Sequence, residues 1–156
     1  SVLQHLIHAL KYKGDTEAGE QLGRWMGVHL QQAQRFAEAQ LLVPLPLFAE
    51  KLRRRGYNQA AVLCRGIATI TGANLLETAV ERVRYTDTQT RKGRTERWHN
   101  VEGSFAVQLP PPQPATHVLL VDDVVTTGAT LEACATALVQ SGYRVSVATL
   151  AWSSDD

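Results

Sequence analysis

The sequence predicts an α/β fold: a mostly parallel, twisted sheet with helices on both faces. Three observations predict it. Val118-Leu119-Leu120-Val121 is an apolar run without alternation, the pattern of a strand buried on both faces. A polar stretch then leads into Leu131, Cys134, Ala135, Leu138 and Val139 at helical spacing, so strand, loop and helix follow in order. The same succession occurs earlier, from Leu41 to Ala68, and strands that alternate with helices argue for a parallel sheet.

At 156 residues the chain is long enough for a buried core. It is most simply one domain over 1–156, with N-terminal helices over 1–36 and a sheet core over 37–156. Its 16 basic against 15 acidic residues give no bulk charge that calls for nucleic acid. Ten of the basic residues, however, fall in two short segments: Lys51, Arg53, Arg54 and Arg55, and then Arg82, Arg84, Arg91, Lys92, Arg94 and Arg97. Such clustering favours an anionic ligand close by. Cys64 and Cys134 each fall on the apolar side of an expected helix, as reduced, buried thiols of a cytoplasmic protein do. There is no Cys-x-x-Cys pair for a zinc ribbon, no run of eighteen apolar residues for membrane insertion, and no signal peptide. The chain opens at Ser1 directly into a helical pattern without an initiator Met, which reads as a fragment.

Val2, Leu3, Leu6, Ile7 and Leu10 predict a short first helix that closes near Gly14. His5 and His8 lie one turn apart on it; a metal would need a further ligand, and none is evident. Thr16 is the expected cap of a second helix, with Leu22, Trp25, Met26, His29, Leu30, Ala33 and Phe36 along one apolar face. Trp25 and His29 are expected at the edge of the core. Leu41 to Pro46 reads as a short buried strand stopped by prolines. A basic loop from Lys51 to Gln59 follows, then a helix with Asn58 as cap and Ala61, Cys64, Ile67 and Ala68 facing in. Open α/β sheets bind ligands at the carboxyl ends of their strands, which places that loop well for an anion.

Residues 77–84 carry the β-forming Thr78, Val80 and Val83. Residues 86–100 are polar and basic with no apolar period, and read as a long loop of the kind that closes as a lid. Trp98 and His99 in it either stack on a base or tether the loop to the body. Ser104 to Val107 is another strand, and residues 110–114 form a stiff, proline-rich surface connection. His117 reads as structural. Val145 to Leu150 is the last strand, with Trp152 at the surface beyond it.

The stretch from Val118 to Thr130 carries the chemistry. After the apolar run come Asp122 and Asp123, then Val124 and Val125, then Thr126, Thr127, Gly128, Ala129 and Thr130. A helix start offers unpaired N–H groups and a positive dipole end, both suited to a phosphate. Gly128 lets the backbone approach a ligand, and three threonine hydroxyls add donors. Paired aspartates suit a ligand rich in hydroxyls, such as a ribose. A Walker A loop is excluded because no Gly-Lys-Ser/Thr follows, and a dinucleotide fingerprint because its later glycines are missing. The plainer alternative is a buried strand and a capped helix, with Asp or Thr as N-cap. A cap needs one such residue, not two acids and three threonines.

This segment of about thirteen residues resembles the phosphoribosyl-pyrophosphate (PRPP) motif of type I phosphoribosyltransferases. Leu-Arg-Arg-Arg-Gly-Tyr-Asn-Gln over 52–59 resembles the Arg-Gly-Phe/Tyr-Asn-Gln signature of the ComF/GntX-like proteins related to those enzymes. Gln89, Arg97, Asn100 and Phe105 fit a second signature, and Ile7 to Gly14 resembles the family's entry segment, so the likeness covers nearly all of the chain. The chain departs from the family in three places. It has no N-terminal Cys-x-x-Cys zinc module, Lys92 stands where an apolar residue is usual, and Ser104 stands where Ala is usual.

The resemblance implies a type I phosphoribosyltransferase fold, with a sheet of about five strands and a flexible lid over 86–100. It makes Asp122 and Asp123 the candidate catalytic pair, on the ribose 2′- and 3′-hydroxyls. Thr126, Thr127, Gly128, Ala129 and Thr130 become the 5′-phosphate loop. Arg54, Arg55 and the amides around Gly56 would hold the pyrophosphate, under a lid that includes Gln89, Arg97 and Asn100. Mg²⁺ would come with PRPP, held largely by substrate oxygens, with Asp122 and Asp123 as the protein groups able to take part.

The implied activity is transfer of ribose 5-phosphate from PRPP to a nucleobase acceptor, in the setting of imported DNA or nucleotide salvage. No residue reads as a general base for the acceptor. A second class therefore stays open: a non-catalytic, PRPP- or nucleotide-responsive accessory factor working with DNA-uptake machinery. A third takes the basic clusters as a track for single-stranded DNA.

Overall fold

The computed structural model of the chain describes residues 14–36, 38–83 and 104–153, together with Gln4, His5 and His8. The lid residues Gln89, Arg97 and Asn100, with Trp98 and His99, lie outside the described residues, as do Val2, Leu3, Leu6, Ile7 and Leu10 of the expected first helix.

Helix α1 (Thr16–Gln32) is capped one residue earlier than expected: Asp15 accepts a bond from the Ala18 amide at 3.0 Å, and Thr16 is already helical. A 3₁₀ turn (Gln34–Phe36) leads to strand β1 (Leu41–Pro44). The basic segment that follows is not the expected loop. It forms helix α2 (Ala49–Arg55), because Ala, Glu, Lys, Leu and Arg are all strong helix formers. Gly56 ends it in the left-handed region, at φ 87°, with its N–H donating to the Leu52 carbonyl at 2.7 Å.

Helix α3 (Gln59–Thr71) starts at the expected Asn58 cap, whose side chain accepts from the Ala60 and Ala61 amides. Then come β2 (Asn74–Leu75), β3 (Val80–Val83), β4 (Ser104–Val107), β5 (His117–Val125), helix α4 (Ala129–Gln140) and β6 (Arg144–Trp152).

The main sheet has the order β2-β1-β5-β6 and every described pairing in it is parallel. Among the described residues it has four strands, not about five. The segments at Val80–Val83 and Ser104–Val107 pair instead as a separate antiparallel ribbon, β3–β4.

Strand β5 shows why its apolar run does not alternate. Leu119 and Val121 enter one core, with Leu22 and Met26 of α1 and Leu63 and Ile67 of α3. Val118 and Leu120 enter a second core, with Leu131, Cys134 and Leu138 of α4 and Val80 of the ribbon. Both faces are covered, so both must be apolar. Cys64 and Cys134 are fully buried, and burial pushes the Cys64 thiol far up and Cys134 up to about 12.

The packing face of α1 differs from the expected stripe. Its buried residues are Gly19, Leu22, Gly23, Met26 and Gly27. Trp25 is 54% exposed, its ring edge-on to His29 at 4.7 Å. The α1 backbone thus comes close enough to α3 that side chains at Gly23 and Gly27 would not fit. Val139, expected to face in from α4, is likewise exposed. His117 is buried as expected, its Nε2 2.7 Å from the Ser146 hydroxyl. No helix among the described residues is long and apolar enough to cross a membrane.

Candidate functional site

Two units of strand, helix and strand leave the middle of the sheet in opposite directions. One runs from β1 through α2 and α3 to β2, the other from β5 through α4 to β6. The order therefore reverses between β1 and β5, and a crevice opens there at the carboxyl ends of the strands.

Strand lengths shape this crevice. The β1–β5 ladder ends at Pro44 opposite Val121, with a last bond from the Leu45 amide to the Val121 carbonyl at 2.8 Å. β5 runs on beyond that point, paired only with β6, as far as Val125 opposite Trp152. Asp122 and Asp123 fall just past the end of β1. They do not follow the strand, as the apolar run had implied, but lie within its overhang and line a cleft of about 320 Å³.

The acids are held by their own backbone. Asp122 Oδ1 accepts from the Asp123 amide at 2.8 Å, and Asp123 Oδ1 accepts from the Val124 amide at 2.7 Å. Thr126, Thr127, Gly128, Ala129 and Thr130 continue the lining from β5 into α4. Gly128 occupies the cap position of α4 at φ 82° and makes no side-chain cap bond. Thr127 Oγ1 accepts from the Ala129 amide at 3.2 Å. The plainer account needed Asp or Thr as the cap residue, and glycine stands there instead. A Cβ at Gly128 would have room, with Val125 Cγ1 3.8 Å away, so the left-handed backbone is what calls for glycine.

The opposite wall is cationic and polar. Lys51 and Arg55 reach the cleft from α2, Asn58 and Gln59 from the start of α3, and Arg82 from β3. Asn58 ties this wall to the sheet: while capping α3 it also donates to the Leu45 carbonyl at 3.0 Å. Two helix N-termini, those of α3 and α4, thus open on one cleft.

Of the residues expected at a pyrophosphate, the cleft takes Arg55. Arg54 is exposed and, like Gly56, does not line it, and the Gly56 amide is engaged in closing α2. Lys51, Asn58, Gln59 and Arg82 were not singled out as site residues. A signal existed for Lys51: in a helix, positions 51 and 55 share a face that 53 does not. Treating the segment as a loop concealed that pairing. Among the described residues no group of three or more His, Cys, Asp or Glu side chains could hold a metal ion alone.

No family model matches the chain. Individual relatives do. The chain is 34% identical over 143 residues to the DNA utilization protein YhgH of Escherichia coli K12, covering 90% of this chain and 62% of that protein. It is 32% identical over 133 residues to competence protein F of Haemophilus influenzae, covering 83% of this chain and 58% of that protein. Over most of its length the chain is thus similar to the DNA-utilization and competence proteins whose signatures it resembles. It spans somewhat under two thirds of the length of these relatives. Among solved structures, a hypothetical protein from Neisseria gonorrhoeae with bound ppGpp superposes at a TM-score of 0.54 and 13% identity, over 85% of this chain and 66% of that one.

In this chain the two stretches of sequence that carry the resemblance meet in space. Arg55, Asn58 and Gln59 of the first line the same cleft as the acid and threonine residues of the second. The fold is a parallel sheet flanked by helices, with this cleft at the reversal of strand order.

Proposed function

We propose that the chain binds PRPP and transfers its ribose 5-phosphate to a nucleobase, with release of pyrophosphate, in the use of imported DNA or in nucleotide salvage. One observation carries this reading. The paired carboxylates, the threonine–glycine loop at a helix start and a cationic wall share one cleft at the reversal of strand order. A ligand with hydroxyls in its middle and phosphate at both ends fits that arrangement.

In the reaction the bond from ribose C1 to the pyrophosphate oxygen breaks, its electrons leaving with the oxygen, and a bond from C1 to an acceptor nitrogen forms. Positive charge develops on the ribose ring, which the Asp122 and Asp123 carboxylates would stabilise. Thr126 to Thr130 would fix the 5′-phosphate. Mg²⁺, which takes hard oxygen ligands of the kind these carboxylates and the phosphates supply, would neutralise the leaving pyrophosphate.

A second reading keeps the site for binding alone, as a PRPP- or nucleotide-responsive accessory factor of DNA uptake. Asp122 and Asp123 are the only carboxylates lining the described cleft, and both are assigned to the ribose, so neither is at hand for the acceptor. The Neisseria neighbour, crystallised with a guanine nucleotide, points the same way. Calorimetric titration of the protein with Mg²⁺ and PRPP tests the common core of both readings, and saturable binding is the expected result. An absence of heat across the millimolar range removes both. Turnover of PRPP with a panel of nucleobases then separates transferase from accessory factor.

A further inference from the structure

Arg82, like Lys51, lines this site without being marked by the signatures. It stands on β3 two positions from the buried Val80 and so faces the same side. Its guanidinium carbon lies 4.3 Å from the centroid of the Phe48 ring and 5.6 Å from that of Phe105. Phe105 is its cross-strand partner on β4, and Phe48 immediately precedes α2, the helix that carries Lys51 and Arg55. Two rings of different origin thus hold one charge in place, each such contact favouring the cation. The residue also lines the cleft that the acids line. Burial raises the Cys134 thiol, while the Arg82 charge pulls it down and Asp122 pushes it up.

We propose that Arg82, with Lys51 and Arg55, forms the pole that receives the diphosphate of the ligand, and that Arg82 makes the site prefer a sugar 1-diphosphate to a sugar monophosphate. The proposal rests on the PRPP reading above and adds a residue and a selectivity to it. The sign of the charges supports it. Cleavage at C1 leaves the ring positive and the departing diphosphate negative; carboxylates suit the first and a fixed cation suits the second. An arginine stays charged at any working pH and can grip two oxygens at once. Clamped by Phe48 and Phe105, it loses little further freedom when the ligand binds.

The test is calorimetry on the full chain with three probes: Mg²⁺-pyrophosphate, Mg²⁺-PRPP and ribose 5-phosphate. Arg82→Gln is expected to weaken the first two by about tenfold or more and to leave ribose 5-phosphate within about twofold. Arg82→Lys, which keeps the charge and loses the fork, is expected to fall between wild type and Arg82→Gln. If Arg82→Gln does not fold, Arg82→Lys carries the comparison, and a loss confined to the diphosphates supports the proposal. Equal weakening of all three probes, or unchanged pyrophosphate affinity, overturns it. Wild-type protein that binds ribose 5-phosphate but not pyrophosphate overturns this inference alone. Wild-type protein that binds none of the three overturns the PRPP reading with it.

Discussion

Gly23 and Gly66 meet backbone to backbone where α1 crosses α3. A Cβ on Gly66 would lie 2.7 Å from the Gly23 Cα and 2.6 Å from the Arg24 amide nitrogen, and a Cβ on Gly23 would run into the Leu63 carbonyl. Nothing at the crossing is a flexible side-chain end that could yield. The start of α3, beyond this contact, carries Asn58 and Gln59 into the cleft.

Gly66→Ala is therefore expected to destabilise the fold by about 3 kcal/mol, as overpacking against rigid backbone does. Gly72→Ala is the contrast. Its φ of 75° is left-handed, but nothing lies within 4 Å of its Cβ, so the backbone cost alone applies, about 1 kcal/mol. Urea midpoints of the two variants check the ranking; equal losses would mean that the helices do not approach this closely.

Asn58 joins three things: the amides of Ala60 and Ala61, the Leu45 carbonyl and the cleft. Asn58→Ala is expected to cost about 1–2 kcal/mol of stability through the lost cap. It should also weaken Mg²⁺-PRPP binding, because Leu45 and the start of α3 are no longer tied. Asn58→Asp keeps the cap and loses the bond to Leu45. Melting curves and titrations on the pair separate the two roles, and PRPP affinity that follows cap strength alone would rule out the tie to Leu45.

Replacing both Asp122 and Asp123 by Asn should leave the fold intact, since an amide oxygen can still accept from the amides of Asp123 and Val124. PRPP affinity should fall by about 3 kcal/mol or more, through two charge-assisted hydrogen bonds lost to the ribose. Circular dichroism and calorimetry on one sample provide the check. Unchanged affinity would end the ribose assignment; an unfolded double variant would make the pair structural.

His117 gives the fold a pH dependence of predictable sign. Burial holds its folded-state pKa below the ordinary histidine value of 6.5, Arg144 pushes the same way and Glu38 opposes. The neutral ring belongs to the native state, so its contribution is fully present above that ordinary value. It is lost as pH falls through 6.5 toward the lower folded value, because the unfolded chain takes the proton first. The urea midpoint is expected to hold steady at mildly alkaline pH and to drop on acidification. His117→Gln should flatten that drop; an unchanged slope would place the effect elsewhere.

The threonine–glycine loop between strand and helix was legible in sequence because it needs only local context. A strand buried on both faces and a helix start are set by neighbours a few positions apart, so the apolar run Val118 to Val121 and the helix carrying Leu131 to Leu138 could be placed by pattern alone. The same holds for Asn58 as cap of α3. The basic segment was misjudged for a related reason: its charge drew the eye to a ligand, while its helix propensity decided its shape. As a helix it turns Lys51 and Arg55 toward the cleft and leaves Arg53 and Arg54 exposed.

By itself, then, the sequence determined the fold class, the order of acid pair, threonine–glycine loop and helix, and the family resemblance, all of which rest on short-range pattern. Only the tertiary structure decided that β1 stops where Asp122 begins, that Val80–Val83 and Ser104–Val107 leave the main sheet to form a ribbon, and that Arg82 reaches the cleft between two rings. It also decided that α1 packs through Gly23 and Gly27, where periodicity had pointed to Trp25. Strand pairing, helix crossing and aromatic clamping each depend on residues tens of positions apart, and the free energy that selects them comes from contacts no local window contains.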